Sequence, residues 1–237
     1  MLTSQSLPYT HFVNIPLNLG DIPDAARAFR AAVLSSPWAE ECRVEQDIFF
    51  EPGHLHLTLA MLKLYSDERR HKAKLLVDEV GAAVRAILSE DISGRGIRVA
   101  VKGLEYMNDD PSEVDVLYVQ VNELGVEAES GGKLARVCKA VVDIYGAAGL
   151  LLERDDRPVK LHATLMNTRL RRSANKEAAA VSGGTRVSFD AKKIFEEHKD
   201  LDFGEWDLEA VHLSKRGEFD VSLGGFYRCI AQCPLAL

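Results

Sequence analysis

Residues 9–15 (YTHFVNI) are aromatic and β-branched and are halted by Pro16, which predicts a strand. The period then changes. Residues 21–35 (DIPDAARAFRAAVLS) are Ala-rich at helical spacing, with Asp21 or Asp24 as an N-cap and Pro37 forcing an end. After the Pro52-Gly53 breaker, HLHLTLAML places polar side chains at 54, 56 and 58 and leucines at 55, 57 and 59, a strand with two unlike faces. From Ser66, SDERRHKAKLLVDEVGAAVRAIL offers a cap, early acids and apolar Leu75, Leu76, Val80, Val84 and Leu88, predicting a second helix. Residues 93–96 break it, residues 96–107 alternate as a strand, and Asn108-Asp109-Asp110-Pro111 marks a turn near the midpoint of the chain.

The second half repeats this order. Residues 114–121 (VDVLYVQV) read as a strand, residues 131–148 as a helix with apolar Leu134, Val137, Val141 and Ile144, and residues 159–166 (VKLHATLM) as a strand. A helix at 190–198 and strands at 206–214 and 220–230 complete it. The distances repeat as well: 44 residues separate Phe12 from His56, and 46 separate Val116 from His162. Such repetition predicts two β-α-β-α-β lobes facing each other within one domain, lobe one over about 9–107 and lobe two over about 112–231.

Composition narrows the classes. The chain has 237 residues, 46% of them hydrophobic and 27% charged, in the range of a folded globular protein. Its formal net charge of −7 suits a small anionic ligand in a local basic pocket better than a long duplex gripped by charge. No run of about 18 apolar residues occurs, and the N-terminus has no basic leader or hydrophobic core, so neither a membrane span nor secretion is expected. Cys42, Cys138, Cys229 and Cys233 lack a second pair at metal-ligand spacing and are expected to be reduced thiols.

The two matching strands hold His56-Leu57-Thr58-Leu59 and His162-Ala163-Thr164-Leu165, the same H-x-T-L pattern 106 residues apart. Strand alternation turns His56 and Thr58 to one face, and likewise His162 and Thr164. If both faces meet in one cleft, two imidazoles and two hydroxyls converge. One neutral histidine can accept a proton and the other, protonated, can donate one. The threonines can donate to the non-bridging oxygens of a phosphodiester. No metal or cofactor is expected, because the carboxylate that usually completes a hydrolytic metal site is absent from both motifs. A single H-x-T is common by chance; two at equivalent places in a repeat make a different argument from either alone.

These paired motifs resemble those of the 2H phosphoesterase superfamily, which includes RNA-ligase-like and cyclic phosphodiesterase enzymes and nucleotide-binding domains of some anchoring proteins. The strings THFVNIPL, GLEYMNDDPSEVDVLYVQV, KLHATLMNT and VHLSKR are similar to the phosphoesterase domain of a subunit of a helicase-containing transcription coactivator and alkylation-repair complex. The resemblance implies the 2H, RNA-ligase-like fold, an α+β bilobal duplication with facing antiparallel sheets, together with His56 and His162 as acid/base pair, and Thr58 and Thr164 as phosphate ligands. It also implies a small nucleotide or RNA end as ligand, that complex as a partner, and a nuclear location, with the cytoplasm as the alternative. Such subunits carry an RNA-binding KH domain ahead of this region, whereas here the sequence begins directly at the first strand.

The leading expectation is a metal-independent phosphodiesterase that opens a 2′,3′-cyclic phosphate or trims an RNA end. The alternatives are a nucleotide- or RNA-binding regulatory module with little or no turnover, and a scaffold dominated by partner contacts. Around the motifs, His54 and Lys160 continue the polar faces and either touch phosphate or reach solvent. Arg169, Arg171 and Arg172 form either a basic lip or a solvated charge run. Tyr106, Phe12 and Phe226 either stack on a base or pack in the core. His11, His71, His198 and His212 are expected to be packing or surface residues. Gly146-Ala147-Ala148-Gly149 has the form of a KH loop, but its place after a helix predicts a C-cap.

Overall fold

Eight strands pair in the order β6-β3-β4-β5-β2-β1-β7-β8, with every pairing antiparallel. They are β1 (His11–Pro16), β2 (His56–Leu62), β3 (Arg98–Tyr106), β4 (Val116–Glu123), β5 (His162–Asn167), β6 (Asp202–Asp207), β7 (Ala210–Asp220) and β8 (Phe226–Pro234). Among the described residues the α-helices are α1 (Ile22–Ser35), α2 (Asp67–Ser89), α3 (Lys133–Ala147) and α4 (Lys192–His198). This computed structural model describes residues 7–90, 96–107, 109–126, 131–151, 160–171 and 187–236.

The facing sheets expected from the repeat are joined edge to edge through β2 and β5 into one sheet. The two halves also exchange strands. β3, from the first half, lies between β4 and β6 of the second, while β7 and β8 extend the sheet beyond β1. In space the units are therefore β8-β7-β1-β2 and β5-β4-β3-β6, not residues 9–107 and 112–231. Chain order limits which strands can be joined by short loops, but hydrogen-bond ladders decide which become neighbours.

The sheet must curl. β6 is one edge and β7 lies next to the other, yet only Leu208 and Glu209 separate Asp207 from Ala210. Three Cα–Cα steps reach at most about 11 Å, so the two ends of the sheet are drawn together. Gly20, just after β1, marks the closure: its φ is +40°, and a Cβ there would lie 2.2 Å from the Trp206 ring of β6. This divergence of partners also splits the strand expected over 206–214 into β6 and β7. The strand expected from 220 starts instead at Phe226, after a 3₁₀ turn at Val221–Leu223 and the left-handed Gly224.

Helix faces follow from their spacing. α1 buries Ile22, Ala26, Phe29 and Val33, and α2 buries Ala73, Leu76, Val77, Val80, Val84 and Leu88. Leu75, read as part of the α2 core face, is 54% exposed because it falls off that stripe. Ser66 caps α2 by accepting from the Arg69 amide at 3.1 Å. α3 is capped from a distance: Glu123, at the end of β4, accepts from the amides of Lys133 and Leu134 at 3.2 and 2.7 Å. Its other end is the expected C-cap, with Gly149 at φ +70° and Leu150 N–H donating to the Tyr145 carbonyl at 3.0 Å. α2 packs on α3 and β8, and α3 on β2, so α3 lies against one of the two central strands.

Leu57 is 1% exposed and sits on the central pair. Leu57→Ala should lower unfolding stability by about 2–5 kcal/mol, seen as a lower urea midpoint at unchanged slope. Leu75→Ala, on the exposed stripe, should stay within about 0.5 kcal/mol of the parent in the same titration.

Candidate functional site

β2 and β5 meet at one bridge pair, Leu57 opposite Ala163. Antiparallel register then sets His56 beside Thr164 and Thr58 beside His162, so the two motifs are related by a local twofold through that pair. Leu57, Leu59, Ala163 and Leu165 are buried against the helices, while the histidines and threonines on the opposite face are only partly covered. All four polar side chains line one cleft of about 580 Å³ on the concave side of the sheet. The period-two pattern of each strand thus puts the polar set on one face and the core on the other.

The tautomers follow from the hydrogen bonds. His56 Nδ1 lies 2.7 Å from the His54 carbonyl and His162 Nδ1 lies 2.6 Å from the Lys160 carbonyl, each two residues back. A carbonyl can only accept, so each Nδ1 carries a proton, and in the neutral ring Nε2 is the acceptor. His56 Nε2 accepts from the Thr58 hydroxyl at 3.0 Å. The same backbone device is therefore used twice to present a basic nitrogen.

Aromatic rings enclose His56: Phe12 at 5.1 Å, Tyr227 at 5.5 Å, Phe50 at 6.2 Å and Phe226 at 6.3 Å between centroids. This burial pushes its pKa down to about 4, and His162 across the cleft pushes it the same way. His162, against Tyr118 at 5.2 Å, is also lowered, mainly by burial and secondarily by Lys160. In the ligand-free protein both rings are neutral at pH 7. Arg169 and Arg216 also line the cleft, and no carboxylate is among the described residues that do so. The site is a polar floor between aromatic walls with cationic groups at its edge.

Other candidates separate. His54 points away from the threonines: its Nε2 donates to the Gly225 carbonyl at 2.9 Å, and its ring stacks on Phe219. The Lys160 ammonium lies 4.8 Å from the centre of the Tyr118 ring. Arg171 is structural, bonding the carbonyls of Val187 and Arg43 and pairing with Glu45 at 3.1 Å. Arg172 lies outside the described residues. Tyr106 packs edge-on to Phe195, Phe226 is buried at 1% exposure, and Phe12 alone of the three aromatic candidates lines the cleft. His11 is buried beside Thr10 and His198 packs on Phe29.

Sequence reasoning did not single out Phe50, Tyr227, Tyr9 or Arg216. Phe50 is placed by its amide donating to the Leu165 carbonyl on β5 at 2.8 Å. Arg216 is placed by pairing of β7 with β1, its amide donating to the Thr10 carbonyl at 2.9 Å. Neither position has a local signal. Among the described residues no group of three or more His, Cys, Asp or Glu side chains is arranged to hold a metal ion, and no helix is long and apolar enough to cross a membrane.

The family described as AKAP7 2′5′ RNA ligase-like domain matches residues 9–235. Mouse (Mus musculus) activating signal cointegrator 1 complex subunit 1 is 32% identical over 231 residues, covering 94% of this chain and 62% of that protein. The chain thus spans under two thirds of this relative's length. In fold, the chain is similar to a crystal structure of a phosphoesterase (TM-score 0.55, 16% identity, 98% of this chain and 100% of that one). Escherichia coli LigT complexed with NADP+ is similar at TM-score 0.54 and 17% identity, and its complex with 3′-AMP at 0.52 and 17%, each covering 98% of this chain and 100% of the other.

A histidine that titrates at about 4 when folded and near 6.5 when unfolded leaves the unfolded chain binding more protons between these values. Stability should therefore be undiminished above pH 6.5 and fall as pH drops toward 4. His11, also lowered to about 4, contributes in the same direction. Urea unfolding between pH 7.5 and 4.5 should show this loss, and His56→Gln should make it shallower without removing it. An equal slope in the variant would mean that His56 is not buried as a neutral ring.

Proposed function

Since the chain belongs to the AKAP7 2′5′ RNA ligase-like domain family, of the 2H phosphoesterase type, we propose that it is a metal-independent phosphodiesterase acting on a small nucleotide or an RNA end. The observation that carries the reading is the β2–β5 register, which gathers His56, Thr58, His162 and Thr164 on one concave face. A phosphate between the strands would meet two hydroxyl donors and two imidazole Nε2 atoms. One neutral imidazole takes a proton from water or a ribose hydroxyl as that oxygen attacks phosphorus. The other, protonated, gives its proton to the ribose oxygen as the P–O bond breaks, and Thr58 and Thr164 donate to the non-bridging oxygens where charge accumulates.

The lowered histidine pKa values fit this cycle. An anionic phosphate beside either ring raises its pKa, so binding brings the proton that the acid step needs. Arg169 and Arg216 add attraction for the anion, and the partly exposed Phe50 and Tyr227 offer faces for a base. The 3′-AMP held by LigT is a ligand of this size and charge. Opening of a 2′,3′-cyclic phosphate and trimming of an RNA terminus both use this arrangement.

The mouse relative is a complex subunit, which favours a second reading: a nucleotide- or RNA-binding subunit of a comparable complex, with a nuclear location and little turnover. The two readings differ in the transition state. Removing a general acid or base lowers kcat far more than it weakens binding.

Incubation with 2′,3′-cyclic nucleotides and short RNAs of defined ends, in EDTA, should yield products resolved by ³¹P NMR or mass spectrometry. His56→Ala and His162→Ala should each lower kcat about 10²–10⁴-fold while nucleotide still binds. Turnover lost in EDTA and restored by a divalent cation would contradict the metal-free mechanism. Binding without turnover in the parent protein would select the regulatory subunit.

A further inference from the structure

A second groove of about 630 Å³ opens beside the cleft, and Phe50 and Tyr227 line both. Its far wall is Phe219, on β7, which is 52% exposed. One face of that ring is covered by His54, stacked at 4.3 Å and 3° between planes. Tyr227 touches both rings, at 5.2 Å from Phe219 and 5.0 Å from His54, and lies 5.5 Å from His56. A continuous run of rings therefore leads from the motif histidine out of the cleft to a half-exposed phenyl face.

The platform is held rigidly. His54 is pinned through Nε2 to the Gly225 carbonyl. The turn after Phe219 is fixed by Asp220, whose carboxylate accepts from the amide and hydroxyl of Ser222 at 2.9 and 2.6 Å. Glu218 pairs with Lys215 and with Arg228 on the neighbouring strand. An aromatic side chain packed on one face, open on the other and fixed in place loses little entropy when a planar group stacks on it.

The charges distinguish a base from a phosphate. Arg169 and Arg216 stand in the cleft, whereas in the groove Arg30 pairs with Glu51 at 3.3 Å and Asp47 adds a further carboxylate. The groove thus has no excess of cations for a phosphate, but offers an aromatic face and polar edges to a neutral heterocycle. We propose that this groove is a second subsite, in which Phe219 stacks on the base of the nucleotide adjoining the phosphate held between His56 and His162. The inference rests on the proposed function of the cleft and adds that the preferred ligand is an oligonucleotide of at least two residues rather than a mononucleotide.

Calorimetric titration of adenosine 3′-monophosphate, and of the dinucleotides ApA and ApAp with 2′-O-methyl riboses to prevent cleavage through the 2′-hydroxyl, tests this. At least one dinucleotide should bind the parent protein about tenfold tighter than the monophosphate. Phe219→Ala should erase that increment and leave monophosphate affinity unchanged, which also shows that the variant folds; Phe219→Trp should retain it. Dinucleotides that bind no tighter than the monophosphate, or an increment that survives Phe219→Ala, would overturn the subsite while leaving the nucleotide cleft standing. Equal weakening of all three ligands by Phe219→Ala would make Phe219 part of the cleft itself and overturn a separate subsite. No binding of any of them to the parent protein would overturn both proposals.

Discussion

The antiparallel contact of β2 with β5 is the constraint on which the rest of the structure depends. A single bridge pair, Leu57 with Ala163, fixes the register between the two repeated units. Because side chains alternate along a strand, a slip of one residue would turn a histidine and a threonine into the helix-covered core and bring leucines into the cleft. The register is therefore selected by burial of Leu57, Leu59, Ala163 and Leu165 on one face, which leaves the polar set to line the cleft on the other.

Strand exchange protects that contact. With β3 lodged between β4 and β6, and β7 and β8 ranked beyond β1, neither half can leave the other without breaking several ladders. The two-residue link from β6 to β7 then bends the sheet, and a cleft lies over its polar face. Aromatic side chains from β1, β8 and the segment before β2 gather around His56 as a result. Their apolar surroundings hold the ring neutral, while the backbone carbonyls two residues before each histidine hold its tautomer.

Much of this was legible in the sequence because it is local. Each strand's two-faced pattern identified His56, Thr58, His162 and Thr164 without reference to any neighbour, and the repeat of that pattern announced a duplicated α+β fold. The C-cap at Gly149 was legible for the same reason, since helix termination depends on a few adjacent residues. Leu75 shows the limit of periodicity. Its apolar character placed it with the α2 core, but a helix stripe is set by what it packs against, and Leu75 points elsewhere.

The sequence by itself determined the kinds of element and the face on which each motif residue stands, and its repeat marked the two H-x-T strands as related; that they pair is a tertiary fact. Only the tertiary structure decided that β3 joins the second half while β7 and β8 join the first, that the sheet curls, and that Arg216, Phe50 and Tyr227 complete the cleft. It also separated residues that look alike in sequence: Arg169 lines the cleft while Arg171 ties down backbone, and His56 faces the threonines while His54 braces Phe219. The physical reason is range. Side-chain direction within a strand is fixed by covalent geometry over two residues, whereas strand neighbours come from ladders between segments as far apart as β1 and β7, for which no single stretch of chain carries a signal.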